Sequence, residues 1–499
     1  MKLSGWKKIV KWISHLIIIL TSIVFIIILV RAFDARNLPD LQSWHSAHLT
    51  EEFHTVTSKD LLTYQQYIEI ETKVFAELEK KIFAVTQEDS ETSVNRYVKG
   101  SKVHPGQFTR NWNKSYELTV AQPKAAVVLL HGLTDSPYSM REIANLLHEQ
   151  GFYVLVPRMP GHGTIPAALR HATWQDWMAV TKMATRHMRT VVGEDVPFYL
   201  GGYSNGGALA TKYTLESLTD DHIERPERLL LFSPAMGVTH FAAFAKWHKL
   251  LSAIPYFRKF EWESIQPEYD PFKYNSFPKM AGHQSFSLAG EITRQFDENA
   301  KYLTNWPATL TFQSLIDSTV LTRSVVEQLY NRLETEKNEL VLYDVNRANQ
   351  LADFFPQENA KHEVDTILLQ RATLPLPYTL TLITNRHQNS QDTVVRSWRG
   401  ALNETIEKPL STPWPRGVYS LSHVAIPFSP DDPYYGDGRH SFKTGIPALG
   451  ALSPRGEKNT LIVPTQQLMR LRHNPFFHDL KKRIIAFCFA NDQQRGVIK

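Results

Sequence analysis

Six consecutive apolar residues, Ala125-Ala126-Val127-Val128-Leu129-Leu130, leave this chain few folding options. A strand with one wet face alternates apolar and polar side chains, so an unbroken short run reads as a strand covered on both faces. Similar runs follow at Tyr153–Val156, Phe198–Leu200 and Leu229–Phe232, and again at Ala308–Gln313, Glu339–Tyr343 and Tyr378–Thr384. Segments of helical character lie between them at Met140–Gln150, Trp174–Val192 and Gly207–Leu218, with another helix near Arg323–Leu333. Strands alternating with helices predict an α/β protein: a mostly parallel sheet with helices on both faces. The stretch Gln466–Phe489 reads as a closing helix, and it carries the sole cysteine, Cys488, so no internal disulfide can form.

The alternation is interrupted twice. Residues from about 236 to 305 are rich in aromatics, including Phe241, Phe244, Trp247, Trp262, Tyr269, Phe272, Tyr274 and Phe286, and predict a cap insertion. A second insertion is expected at about 346–377. Ahead of the sheet, apolar residues between Ser58 and Ala84 recur at helical spacing, which suits an amphipathic helix packed on the body, whereas Gln87–Lys114 is polar and reads as a connector.

The N-terminus is the most biased segment. Residues 13–30 are apolar except for Ser14, His15, Thr21 and Ser22. As a helix this run spans about 27 Å, close to the ~30 Å hydrocarbon core of a bilayer. Lys2, Lys7, Lys8 and Lys11 precede it, against Arg31 and Arg36 after it. That bias predicts a single-pass membrane protein with a cytoplasmic N-terminus and its body on the opposite, periplasmic or extracytoplasmic side. A cleaved signal peptide is the alternative, although the run exceeds the usual h-region of ~7–15 residues. The expected organisation is a cytoplasmic end over 1–12, an anchor over 13–30, a helical N-terminal extension over 31–114 and a catalytic domain over 115–489.

The chemistry centres on Gly202-Tyr203-Ser204-Asn205-Gly206. A serine hydroxyl attacks only if it is exposed, held against a base, and faced by donors for the oxyanion it creates. A strand turning sharply into a helix presents the serine, and glycines two places either side remove the clashes that the turn would cause. Here the strand Phe198–Gly201 precedes Ser204 and a helix begins near Gly207, so Ser204 is the candidate nucleophile. Two backbone N–H groups are expected to hold the oxyanion: that of Asn205, at a helix N-terminus, and that of Leu133, in the loop His131-Gly132-Leu133-Thr134-Asp135. His131 itself reads as a loop brace.

The acid and base should follow in the order Ser, Asp, His. Asp317, just past the strand Ala308–Gln313, is the candidate acid; an N-cap aspartate is the bland reading of it, and Asp344 is the substitute. His423, in Ser420-Leu421-Ser422-His423-Val424, is the candidate base, with His387 and His440 in competition.

His131-Gly132-Leu133-Thr134, Pro160-Gly161-His162-Gly163, Trp174-Gln175-Asp176-Trp177 and Gly202-Tyr203-Ser204-Asn205-Gly206 together resemble the successive landmarks of bacterial carboxylesterases and monoacylglycerol lipases, the serine aminopeptidase S33 or hydrolase 4 type. The resemblance runs over about 125–233 and returns around Asp317 and His423. It implies an α/β-hydrolase fold, a Ser204–Asp317–His423 triad, an aromatic cap over the site and no cofactor. Asn205 departs from the aliphatic or glutamine residue of many relatives, and the interval between Glu339–Tyr343 and His423 is longer than the family norm. The first ~120 residues lie outside the resemblance.

The expected activity is therefore cleavage of carboxylic esters, lipid-like or acyl, with the cap as an apolar acyl pocket. An amidase or proline-type aminopeptidase is the alternative, for which Glu261, Glu263, Glu268 and Asp270 could hold a free amine; a catalytically idle receptor on the same fold is a third reading. A formal charge of +5 over 499 residues, with no basic run interleaved with aromatics, gives nucleic-acid binding no support. The histidines are not spaced for a metal, and no Walker-type or Gly-x-Gly-x-x-Gly loop is present.

Overall fold

The structure, a computed structural model, describes residues 2–36, 38–56, 63–87, 94–237, 255–333, 335, 337–348, 376–399, 402–440, 448–457 and 460–490. Ten strands make one sheet: β1 Tyr116–Leu118, β2 Ala125–Leu130, β3 Phe152–Val156, β4 Phe198–Tyr203, β5 Arg228–Phe232, β6 Ala308–Ser314, β7 Glu339–Tyr343, β8 Thr379–Asn385, β9 Thr393–Arg399 and β10 Leu402–Leu410. Their order is β1-β3-β2-β4-β5-β6-β7-β8-β9-β10. Neighbours from β3 to β8 run parallel, while β1, β9 and β10 are antiparallel additions at the two edges.

The helices are α1 Lys2–Arg36, α2 Tyr64–Leu78, α3 Arg141–Glu149, α4 Trp174–Val192, α5 Asn205–Ser217, α6 Lys279–Glu298, α7 Thr322–Gln328 and α8 Phe477–Cys488, besides shorter helical turns. The continuous apolar run of β2 is explained by cover on both faces. Ala126, Val128 and Leu130 pack with α4 and α5 in one core, and Ala125, Val127 and Leu129 with α3 and α8 in the other. Cys488 is buried in the second core, and burial pushes its thiol up to about 12.

Two sequence expectations are corrected, and one hairpin is added to the strands read from the sequence. The closing helix is two pieces, Thr465–Met469 and α8, because Pro475 lies between them and cannot continue a helix. After β8, β9 and β10 form an antiparallel hairpin on the sheet edge, which accounts for part of the long interval before His423. Pro409 sits in the outermost strand, the place in a sheet where proline is tolerated. The supposed polar connector is anchored in the body. Arg96 and Tyr97 are fully buried; Arg96 donates to the Asp270 carbonyl at 3.3 Å and lies over the Tyr97 and Tyr274 rings.

The N-terminal extension includes α2, which widens into a π turn over Glu79–Phe83. Thr63 caps α2 reciprocally with Gln66. Val74, Leu78, Ile82 and Phe83 pack with Trp44, Tyr97 and Trp262, joining the extension to the insertion that follows β5. Leu61 and Leu62, expected in this helix, lie outside the described residues, as do Phe241, Phe244, Trp247 and most of the insertion expected at 346–377. Several described aromatics of the cap region are committed to packing: Tyr269 and Phe272 join a cluster with Tyr138, Tyr434 and Tyr435, and Tyr274 joins the main core.

Helix α1 is longer than the apolar run read from the sequence. Within it Val10–Val30, with mean hydropathy 3.0, is exposed and long enough to cross a bilayer, a test that an N-terminal signal sequence also passes.

Candidate active site

β4 enters the site from the centre of the sheet and turns directly into α5. Ser204 stands at the turn with φ 55° and ψ −117°, a left-handed conformation that a non-glycine residue adopts only where its surroundings enforce it. The enforcement is visible. The Ser204 N–H donates to the Phe232 carbonyl at 2.8 Å, and its carbonyl accepts from Ala208 at 3.1 Å and Ala235 at 3.0 Å. A Cβ on Gly202 would stand 2.2 Å from the Gly206 carbonyl oxygen, and one on Gly206 would stand 2.1 Å from that of Leu130. Glycine is thus required at both places by backbone passing against backbone. Two more non-glycine residues with positive φ adjoin the turn, Ser233 (44°) after β5 and Thr134 (66°) after β2.

Asp317 follows β6. Its Oδ1 accepts the N–H groups of Thr319 at 2.8 Å and Val320 at 2.9 Å, while Oδ2 accepts His423 Nδ1 at 2.8 Å and Gln313 Nε2 at 3.2 Å. One carboxylate therefore closes its own turn and holds an imidazole. Burial works to raise its pKa, but the His423 charge and hydrogen bond, with the Val320 and Thr319 N–H groups, outweigh that and hold it below the ordinary 3.8. Because the carboxylate can only accept, Nδ1 carries a proton, so that in the neutral ring Nε2 is the acceptor. His423 is buried, and its ring centroid lies 5.2 Å from that of Tyr203, the neighbour of Ser204.

The competing candidates are placed elsewhere. His387 is exposed in the turn between β8 and β9, and His440 is exposed and faces Asp431 at 3.4 Å. Asp344 is buried but engaged by Thr384 Oγ1 at 2.6 Å and by Arg347 Nε at 2.7 Å.

The loop after β2 runs beside the elbow. Among the described residues neither the Leu133 nor the Asn205 N–H makes a hydrogen bond, and Asn205 opens α5, where the first N–H groups have no partner within the helix. His131 is wholly buried. Met159 N–H donates to its Nε2 at 3.0 Å, so Nδ1 carries the proton and donates to the Gly132 carbonyl at 2.9 Å. Burial, with the nearby His162, Arg158 and Lys273, keeps His131 neutral, its pKa well below 6.5. The Thr134 carbonyl accepts the Tyr274 N–H at 2.9 Å, and Asp135 pairs with Lys273 at 2.8 Å, so the cap region is tied to this loop.

Two features were not read from the sequence. Gln313, which donates to Asp317, Val320 and Thr322, is a polar residue near the end of an otherwise buried strand, and that placement is the available signal. The positive-φ positions Thr134 and Ser233 leave no sequence signal, since neither is glycine or asparagine.

The mostly parallel sheet and the strand–elbow–helix turn at Ser204 are those of the α/β-hydrolase fold. Residues 121–347 match the family described as serine aminopeptidase, S33. The chain is similar to carboxylesterases and monoacylglycerol lipases: it is 33% identical over 94 residues to the thermostable monoacylglycerol lipase of Bacillus sp. (strain H-257), covering 19% of this chain and 36% of the lipase. It is 24% identical over 222 residues to a carboxylesterase of Bacillus subtilis (strain 168), covering 44% of this chain and 82% of that enzyme. With Bacillus subtilis phospholipase YtpA the match is 25% over 118 residues, 23% of this chain and 43% of the phospholipase. The chain thus spans about two fifths of the length of the lipase and the phospholipase. The solved monoacylglycerol lipase of Paleococcus ferrophilus superposes on 52% of this chain and 99% of its own, at 18% identity and a TM-score of 0.34.

Proposed function

We propose that the protein is a membrane-anchored serine hydrolase that cleaves carboxylic esters of lipid-like or acyl type. The observation that carries the reading is the conjunction of a strained Ser204 on its elbow with a buried, carboxylate-oriented His423 near Tyr203. Ser204 Oγ attacks the ester carbonyl while His423 Nε2 takes its proton. The Leu133 and Asn205 N–H groups receive the oxyanion, and Asp317 stabilises the imidazolium. Collapse expels the alcohol, protonated by His423, and water then attacks the acyl-enzyme by the same route. No cofactor enters this scheme.

The aminopeptidase reading needs free carboxylates to hold an amine, and three of its four candidates are already engaged. Glu268 is buried and accepts the N–H groups of Asn275 at 3.0 Å and Ser276 at 2.8 Å. Asp270 accepts Tyr435 Oη at 2.6 Å and faces Arg472, and Glu261 is paired with Arg170. Esters are thus favoured over aminoacyl substrates. The relatives' names add monoacylglycerol and phospholipid chemistry to the range worth assaying.

Anchoring rests on Val10–Val30, and the lysines before it favour a cytoplasmic N-terminus. The decisive test is fluorophosphonate labelling of the wild type and of Ser204→Ala, with nitrophenyl esters and aminoacyl anilides assayed in parallel. Labelling only of the wild type, with faster ester cleavage, is expected. Equal labelling of both forms sinks the hydrolase reading, and faster anilide cleavage sinks the ester preference.

A further inference from the structure

The N-terminal extension supplies two buried carboxylates to an arginine of the hydrolase body. Glu52 takes Arg158 in a two-pronged ion pair, Nη1 to Oε2 and Nη2 to Oε1, both at 2.9 Å. Its Oε2 also accepts the Gly161 N–H at 2.9 Å. Glu71 Oε2 takes Arg158 Nε at 3.2 Å and the Ser115 hydroxyl at 2.8 Å. Arg158 is wholly buried, and its remaining bond from Nη1 goes to the His162 carbonyl at 3.0 Å. An ion pair so completely desolvated is held by geometry, and here every nitrogen of the Arg158 guanidinium and both Glu52 oxygens are hydrogen-bonded.

What the pair holds is the loop 158–163. Gly161 and Gly163 both have positive φ, and the Pro160 and Gly161 carbonyls are taken by Trp177 Nε1 at 3.0 Å and Tyr274 Oη at 3.1 Å. Next to Arg158 is Met159, whose N–H meets His131 Nε2 at 3.0 Å. His131 in turn donates to the Gly132 carbonyl. That carbonyl belongs to the same planar peptide as the Leu133 N–H, and in a trans peptide the two point in opposite directions. Fixing the Gly132 oxygen therefore aims the Leu133 N–H.

We propose that Glu52, acting through Arg158, Met159 and His131, is a positioning residue for the oxyanion-binding N–H of Leu133, so that the N-terminal extension is part of the catalytic apparatus. This rests on the hydrolase reading above. The extension lies outside the segment matched by the hydrolase family, which begins at residue 121, so this brace is supplied from outside it. Thr55 gives the same segment a second fastening: its N–H and hydroxyl both donate to Asp176 Oδ1, at 2.8 and 2.9 Å, in the Trp174–Trp177 landmark.

The test compares kcat and KM of wild type and Glu52→Gln, as full-length protein in detergent, on a short-chain nitrophenyl ester. Rates are taken per active site counted by fluorophosphonate, so that unfolded molecules do not enter. Removing an oxyanion donor outright costs roughly 10²–10³ in kcat, and misaiming one should cost about tenfold with KM within about threefold. His131→Phe keeps a ring in place but removes both the acceptor for Met159 and the donor to Gly132, and should fall by a similar factor. The double variant should fall little further, since both changes act on one N–H. Glu52→Gln with wild-type kcat per site, or losses that multiply fully, overturns the proposal. Should Glu52→Gln not fold, Glu52→Asp carries the same criterion: it keeps the charge beside Arg158 while its shorter side chain withdraws from Gly161. A wild type that neither labels nor cleaves esters overturns the hydrolase reading with it, whereas an active wild type matched by the Glu52 variants removes only the positioning role.

Discussion

Gly206→Ala tests whether the active-site geometry depends on backbone passing against backbone. The new methyl carbon would stand 2.1 Å from the Leu130 carbonyl oxygen, 2.5 Å from its carbon and 2.7 Å from the His131 oxygen. No rotamer relieves contacts of this kind, because both partners are main chain at the end of β2. The start of α5 and the end of β2 must part by about 1 Å to restore van der Waals separation. Overpacking on this scale costs roughly 1–3 kcal/mol, and at about 2–4 °C per kcal/mol for a large domain the Tm should fall by several degrees. The larger effect is on rate. Parting α5 from β2 draws the Asn205 N–H away from the loop that carries Leu133, and a misplacement near 1 Å costs about 10²-fold in kcat. The assay is thermal unfolding beside kcat on a nitrophenyl ester, counted per folded molecule. A folded variant with wild-type Tm and kcat would refute the reasoning, since the methyl group would then have found room that the structure denies it.

Asp317→Asn should lower kcat by about 10⁴ with little change in KM, because an amide NH₂ facing Nδ1 favours the wrong tautomer of His423; a loss under tenfold would remove Asp317 from the role. Gly290→Ala is the counterpart of Gly206→Ala, for in α6 a Cβ there meets nothing within 4 Å. It should raise stability by about 0.5–1 kcal/mol, seen as a higher Tm at unchanged kcat. Glu268 is pushed up by burial from 4.5 to about 7, so the folded chain keeps a proton there that the unfolded chain has lost. Its contribution to stability therefore falls as pH rises from 4.5 to 7, and Glu268→Gln should flatten the Tm-against-pH curve over that window; parallel curves would contradict this. Deleting residues 1–36 should free the protein from membranes and leave kcat per labelled site unchanged, and a deletion form that still sediments with membranes would exclude α1 as the sole anchor.

Much of the sheet was legible because a strand covered on both faces is apolar along its length: β2 and β3 are wholly apolar, and β5 and β7 carry four apolar residues behind a leading Arg228 and Glu339. β9 and β10 escaped notice. Arg396, Glu407 and Lys408 face solvent at the sheet edge, where alternating polar residues and even Pro409 are tolerated, so the pattern is weak. Ser204 was legible for a different reason: the clashes at Gly202 and Gly206 are unavoidable in any chain that turns this sharply, so the requirement shows as glycine. Asp317 could be read only as a choice with Asp344, and His423 only as one of three, since a carboxylate and an imidazole 106 residues apart carry no mutual local signal.

By itself, then, the sequence determined an α/β arrangement, a strand–elbow–helix turn at Ser204, and a long apolar segment at the N-terminus. These follow from local rules: two-sided burial, the steric limits of a tight turn, and the thickness of a bilayer. Tertiary structure alone decided which imidazole meets which carboxylate, since that depends on how β6 and the segment after β10 are brought together. It also decided the standing of the first hundred residues. Read as a chain, Gln87–Lys114 is a polar connector and Glu52 an unremarked acid; folded, Arg96 is buried and Glu52 closes on Arg158 across 106 positions. A buried charge is tolerable only beside its partner, and the partner of this one is chosen by the fold.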